Sequence, residues 1–67
     1  MGSVGEELPR EQARCREIQR RYAALGPVGQ FGWMVIEQIL ERADYIVMSG
    51  DTVEMIRILA ELRDVRE

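Results

Sequence analysis

The stretch Gly26-Pro27-Val28-Gly29-Gln30-Phe31-Gly32-Trp33 sets three glycines at a spacing of three. It reads either as a phosphate-gripping loop or as the junction of two helices, and the fold follows from the choice. A Walker loop needs the lysine of G-x-x-x-x-G-K-[ST]. All nine cations of this chain are arginine. A dinucleotide fingerprint needs G-x-G-x-x-G after a strand. Here two residues separate the first glycines, and the flanking patterns are helical. The junction reading therefore stands. Gly26 is a left-handed cap that ends one helix, and Pro27 is the first residue of the next. Gly29 and Gly32 fall on one face, where each costs about 1 kcal/mol of helix propensity. Close approach of another backbone would offset that cost.

Working upstream, Cys15, Ile18, Tyr22 and Leu25 form a narrow apolar stripe among charges. The spacing predicts a helix over 10–25, with Pro9 tolerated in its first turn. Residues 1–8 show no periodicity and read as a disordered tail. Downstream, Gln30, Glu37, Glu41 and Asp44 form one polar stripe over 27–48, and nearly everything else there is apolar. That arc is too wide for one neighbour. It predicts burial on two sides, one by a hairpin partner and one by a second subunit. At Ser49-Gly50-Asp51, Gly50 supplies a left-handed turn. Asp51 supplies an N-cap with Glu54 three residues on, a capping-box pattern. A third helix follows over 52–64, with Arg57 and Glu61 placed to pair at i,i+4. Ile58 and Val65 flank its apolar side. The expected fold is all-α, a single helical domain over 9–67. A basic first helix is followed by a tight helical hairpin that dimerises into a small bundle. The expected core or dimer seam is Phe31, Trp33, Val35, Ile36, Ile39, Leu40, Ile46, Ile56, Leu59 and Leu62.

The composition limits the chemistry. A chain of 67 residues is marginally stable alone and leans on a disulfide, a metal or a partner. Cys15 is the single cysteine, and there is no histidine. An internal disulfide and a Cys/His zinc site are thereby excluded. Oligomerisation remains, and a homodimer is expected. No cofactor, metal or catalytic constellation is expected, because without histidine or lysine only carboxylates could serve Cys15 as a base. The chain is thus read as non-enzymatic. No apolar run is long enough to span a membrane, so no membrane insertion and a cytoplasmic setting are expected.

Net charge is −3, yet from Arg10 to Arg21 five arginines face two glutamates. Arg14, Arg16, Arg20 and Arg21 are read as a contact face for an acidic protein surface. Tyr45, beside the polar stripe, joins them as a candidate contact. Nucleic acid is disfavoured by the overall charge. The alternative is a small dimeric DNA-binding transcriptional regulator whose dimer presents two basic helices. The turn before Asp51 also suits a helix-turn-helix. Its reading front would be Asp51, Thr52, Glu54 and Arg57, an acidic surface that phosphates repel.

At Arg20-Arg21-Tyr22-Ala23-Ala24-Leu25-Gly26-Pro27-Val28-Gly29-Gln30-Phe31-Gly32, and again at Ser49-Gly50-Asp51-Thr52-Val53-Glu54-Met55, the chain resembles very small proteins encoded in early regions of Mu-like bacteriophages. The resemblance covers about residues 20 to 65 and contains no chemical motif. It implies a small helical dimer in the host cytoplasm that sequesters host proteins. The nearest type is an anti-quorum-sensing inhibitor that binds a LuxR-type regulator and a pilus-assembly ATPase. No contact residue carries over one by one.

Overall fold

The computed structural model describes residues 3–66. Among them the chain is all-α, with no strand. Helix α1 spans Val4–Ala24, a 3₁₀ turn spans Gly26–Gly29, α2 spans Gln30–Ser49, and α3 spans Thr52–Asp64. Each helix packs on the other two. The core lies where the three meet: Leu8, Cys15 and Ile18 from α1; Ile36, Leu40 and Ala43 from α2; Ile58, Leu59 and Leu62 from α3, with Val65 just beyond it.

The N-terminal boundary corrects the sequence reading. A disordered tail was expected over 1–8, but α1 begins at Val4 and passes through Pro9. Met1 and Gly2 lie outside the described residues. A proline this far into a helix removes a hydrogen bond and costs on the order of 3 kcal/mol. Leu8 opposes that cost. It is 1% exposed, and full burial of a leucine contributes about 1.5–3 kcal/mol. Val4 packs against the same core, and Glu7 pairs with Arg63 of α3 at 2.5 Å. Tertiary contacts outweigh a local breaker here. The Ser3 carbonyl accepts from the N–H groups of Glu6 and Glu7 at 3.0 and 2.9 Å, closing the first turn.

The glycine junction forms as the spacing predicts at its first residue. Gly26 has φ +72°, and the Leu25 N–H donates to the Tyr22 carbonyl at 3.1 Å. Pro27 is the second residue of a 3₁₀ turn instead of the start of α2, so α2 begins three residues later than the expected 27. Both glycines meet Tyr22 of α1, Gly29 its backbone and Gly32 its ring. A Cβ added at Gly29 would stand 2.0 Å from the Tyr22 carbonyl oxygen. One added at Gly32 would stand 2.6–2.9 Å from the Tyr22 ring. Both glycines thus admit the end of α1 onto the head of α2.

The hairpin turn keeps half of its capping box. Gly50 has φ +73°, and its N–H donates to the Ile46 carbonyl at 3.2 Å. Asp51 accepts from the Glu54 N–H at 3.2 Å. The return bond is absent: the Asp51 N–H donates to Ser49 Oγ at 3.3 Å, and the Glu54 carboxylate turns to Arg57. The expected Arg57–Glu61 pair therefore does not form. Glu61 instead pairs with Arg42 of α2 at 2.8 Å, tying the hairpin across its two helices. Ile58 and Val65, expected on the flank, are core residues.

Candidate interaction surface

The arginines of α1 do two different things. Arg14 binds the end of α3: Nη2 donates to the Leu62 carbonyl at 2.7 Å and Nη1 to the Val65 carbonyl at 3.0 Å. Its Nε pairs with Glu11 at 2.8 Å. A cation on the last carbonyls of a helix satisfies groups that have no intrahelical partner and suits the helix dipole. Arg14 is thus a clamp inside the fold. Arg16 reaches α2 and pairs with Asp44 at 3.3 Å, where Gln12 also donates at 2.9 Å. Arg20 pairs with Glu17 on its own helix, and Arg21 is exposed. The expected contact face is therefore split, with Arg14 and Arg16 engaged by α3 and α2.

Sequence reasoning missed Gln19. It is buried, and its Nε2 donates to Glu37 at 2.7 Å and to the Trp33 carbonyl at 3.3 Å. A glutamine on the edge of an apolar stripe carries no signal of such a role. Its position one residue after Ile18, on the inward side of α1, was the only clue.

Cys15 is fully buried, and its thiol donates to the Leu62 carbonyl at 3.4 Å. Burial pushes the thiol above its ordinary value; Arg14 opposes this and Glu11 adds to it. A protonated, inaccessible thiol is no nucleophile. Among the described residues, no group of three or more His, Cys, Asp or Glu side chains could hold a metal. Among the same described residues, no helix is long and apolar enough to cross a membrane. At the front of α3, Arg57 is engaged by Glu54 at 3.1 Å, beside exposed Asp51 and Thr52.

The predicted apolar residues divide into two sets. Ile36, Leu40, Leu59 and Leu62 enter the core, and Ile39 and Ile46 pack against it. Phe31, Trp33, Val35 and Ile56 remain at the surface of the single chain. Phe31 is 79% exposed and Tyr45 75%, while Val28 and Met48 reach 87%. Phe31 and Val35 also border an open groove of about 380 Å³ between α2 and the end of α3, floored by Ile36, Ile39 and Val65. Glu61, Asp64 and Arg66 line its rim. The chain thus leaves several large apolar side chains exposed around a filled core. Comparison with protein-family models, with curated proteins and with solved structures finds no match to this chain.

Proposed function

We propose that this chain is a small non-enzymatic protein-binding module, a homodimer that acts as an inhibitor or adaptor by covering a surface of another protein. The observation that carries the reading is the exposure of Val28, Phe31, Tyr45 and Met48 around a closed core. Such side chains gain most of their burial from a partner. The resemblance to early-region proteins of Mu-like phages supplies the class of partner: a bacterial host protein, such as a quorum-sensing transcriptional regulator or a pilus-assembly ATPase. In this reading Arg20 and Arg21 on α1 supply the basic contacts toward an acidic host surface.

Purified regulator and purified ATPase, each immobilised and challenged with the wild-type chain, test this directly. Specific binding that an Arg20→Glu/Arg21→Glu variant loses supports both the function and the basic face. Binding that the variant retains moves the contact elsewhere. Absence of binding to either protein refutes the proposed host targets. The DNA-binding alternative predicts retention of generic duplex DNA at low salt with a steep salt dependence. Arg14 and Arg16 of the basic helix are engaged by α3 and α2, which speaks against it.

A further inference from the structure

Five outward residues of α2 follow a heptad seam: Phe31, Val35, Gln38, Arg42 and Tyr45 recur at alternating steps of four and three. All five are exposed. Val28, in the 3₁₀ turn, extends the series by one further step of three. The inward face of the same helix is closed by the core residues Ile36, Leu40 and Ala43. A second stripe thus runs along the outside of α2, bordered by α3 on one side, where Arg42 meets Glu61 and where Phe31 and Val35 edge the groove.

From this we infer that α2 pairs with α2 of a second copy, antiparallel, about a two-fold axis that passes between Val35 and Gln38. The inference rests on the homodimer of the proposed function and assigns its geometry. In that register every layer joins unlike residues: Val28 faces Tyr45, Phe31 faces Arg42, and Val35 faces Gln38, each of the other copy. Arg42, steadied by Glu61 of its own chain at 2.8 Å, lays its guanidinium over the opposing Phe31 ring. A cation over an aromatic face is attractive. The two Arg42 side chains stay about 16 Å apart along the axis, and the two Glu41 carboxylates about 13 Å. A parallel pair would instead set Arg42 directly against Arg42 and Gln38 against Gln38.

The area suffices. A standard interface buries about 800 Å² per partner, about one sixth of this chain's 4754 Å² surface. Phe31 and Tyr45 together bring on the order of 300 Å² per copy. Val28, Val35, Gln38, Arg42 and the adjacent Met34 carry the remainder. The arrangement also moves Tyr45 from the host contact to the seam between copies.

Two chains, one carrying Val28→Cys and the other Tyr45→Cys, test the register. Residues 28 and 45 are about 25 Å apart along the 3₁₀ turn and α2, so neither chain can cross-link with itself across an antiparallel seam. The buried Cys15 thiol stays out of the reaction. Mild oxidation of the equal mixture is expected to give a disulfide-linked dimer, and each chain alone is expected to give none. Cross-linking in the single-variant samples, with no gain in the mixture, would overturn the antiparallel register in favour of a parallel pair. Light scattering on the wild-type chain is expected to give twice the chain mass of 7.7 kDa. Val35→Glu, at a surface position, is expected to return it to the chain mass with unchanged helicity. A monomeric wild type, or a dimer untouched by Val35→Glu, refutes the seam. None of these readings depends on the host partner, so failure of host binding leaves them independent.

Discussion

Replacing Gly29 by alanine should break the α1–α2 junction. The added Cβ would lie 2.0 Å from the Tyr22 carbonyl oxygen and 2.8 Å from its carbon, where ordinary contact begins at 3.4 Å. About 1.4 Å must be found, and both obstacles are backbone. The last turn of α1 has to lift from the head of α2. Overpacking of this kind costs about 1–3 kcal/mol, and more when main chain moves. Removing a glycine returns about 0.4–1 kcal/mol through the unfolded chain. With main chain as the obstacle the cost lies at the top of that range, about 3 kcal/mol, and the net loss is about 2–2.6 kcal/mol. At about 4–8 °C per kcal/mol for a domain of this size, Tm should fall by roughly 10–20 °C. Thermal and urea unfolding, followed by far-UV circular dichroism at fixed protein concentration, reads this directly. Gly32→Ala is the internal comparison, because its obstacle is the Tyr22 ring, a side chain that can swing aside. Its loss should be about 1 kcal/mol, and Tyr22→Leu should relieve it without rescuing Gly29→Ala. Gly29→Ala within about 0.5 kcal/mol of wild type would refute the close approach of α1 to this glycine.

Three further outcomes are expected. Leu8→Ala should cost about 2–4 kcal/mol, since a fully buried leucine is lost; a neutral result in urea unfolding would restore the tail reading of residues 4–8. Arg14→Ala should cost about 1–2 kcal/mol, because two carbonyls at the end of α3 lose a charged donor, and amide exchange should rise over residues 62–66; unchanged exchange there would remove the clamp. Cys15 should make stability fall as pH rises past the ordinary thiol value: its folded pKa is raised, so the unfolded chain loses the proton first and gains population. Urea unfolding across alkaline pH should show a shallower fall for Cys15→Ala than for wild type, and equal slopes would contradict the burial of an ionisable thiol.

The helices were legible because their punctuation is local. Gly26, Gly50 and Asp51 act through their own φ angles and caps, which need no tertiary knowledge. The start of α1 was not legible, because Pro9 is a local stop signal and what overrides it, the burial of Leu8 in the core and the Glu7–Arg63 pair, is long-range. The same distinction explains the charges. Arg57–Glu61 satisfies the i,i+4 rule, yet Arg42 on the neighbouring helix takes Glu61. Arg14 looks like one of several solvated cations in sequence. Only the fold reveals that α3 ends beneath it.

The apolar arc on α2 reads in sequence as needing a second subunit beside the hairpin partner; within the chain α2 packs on both α1 and α3, and the sides were not separable by hydrophobicity. The inward set is Ile36, Leu40 and Ala43, all aliphatic. The outward set mixes Phe31, Val35 and Tyr45 with Gln38 and Arg42, which breaks the apolar signal in its middle. Rotating α2 to bury Phe31 or Tyr45 within its own chain would expose Leu40 and Ala43, now 1% and 0% exposed. It would also pull Glu37 away from Gln19 and Asp44 away from Arg16. These ties fix the rotation of α2 about its axis. Repacking within the described chain therefore does not absorb the outward aromatics, and the proposed pairing of α2 with a second copy would take them out of water.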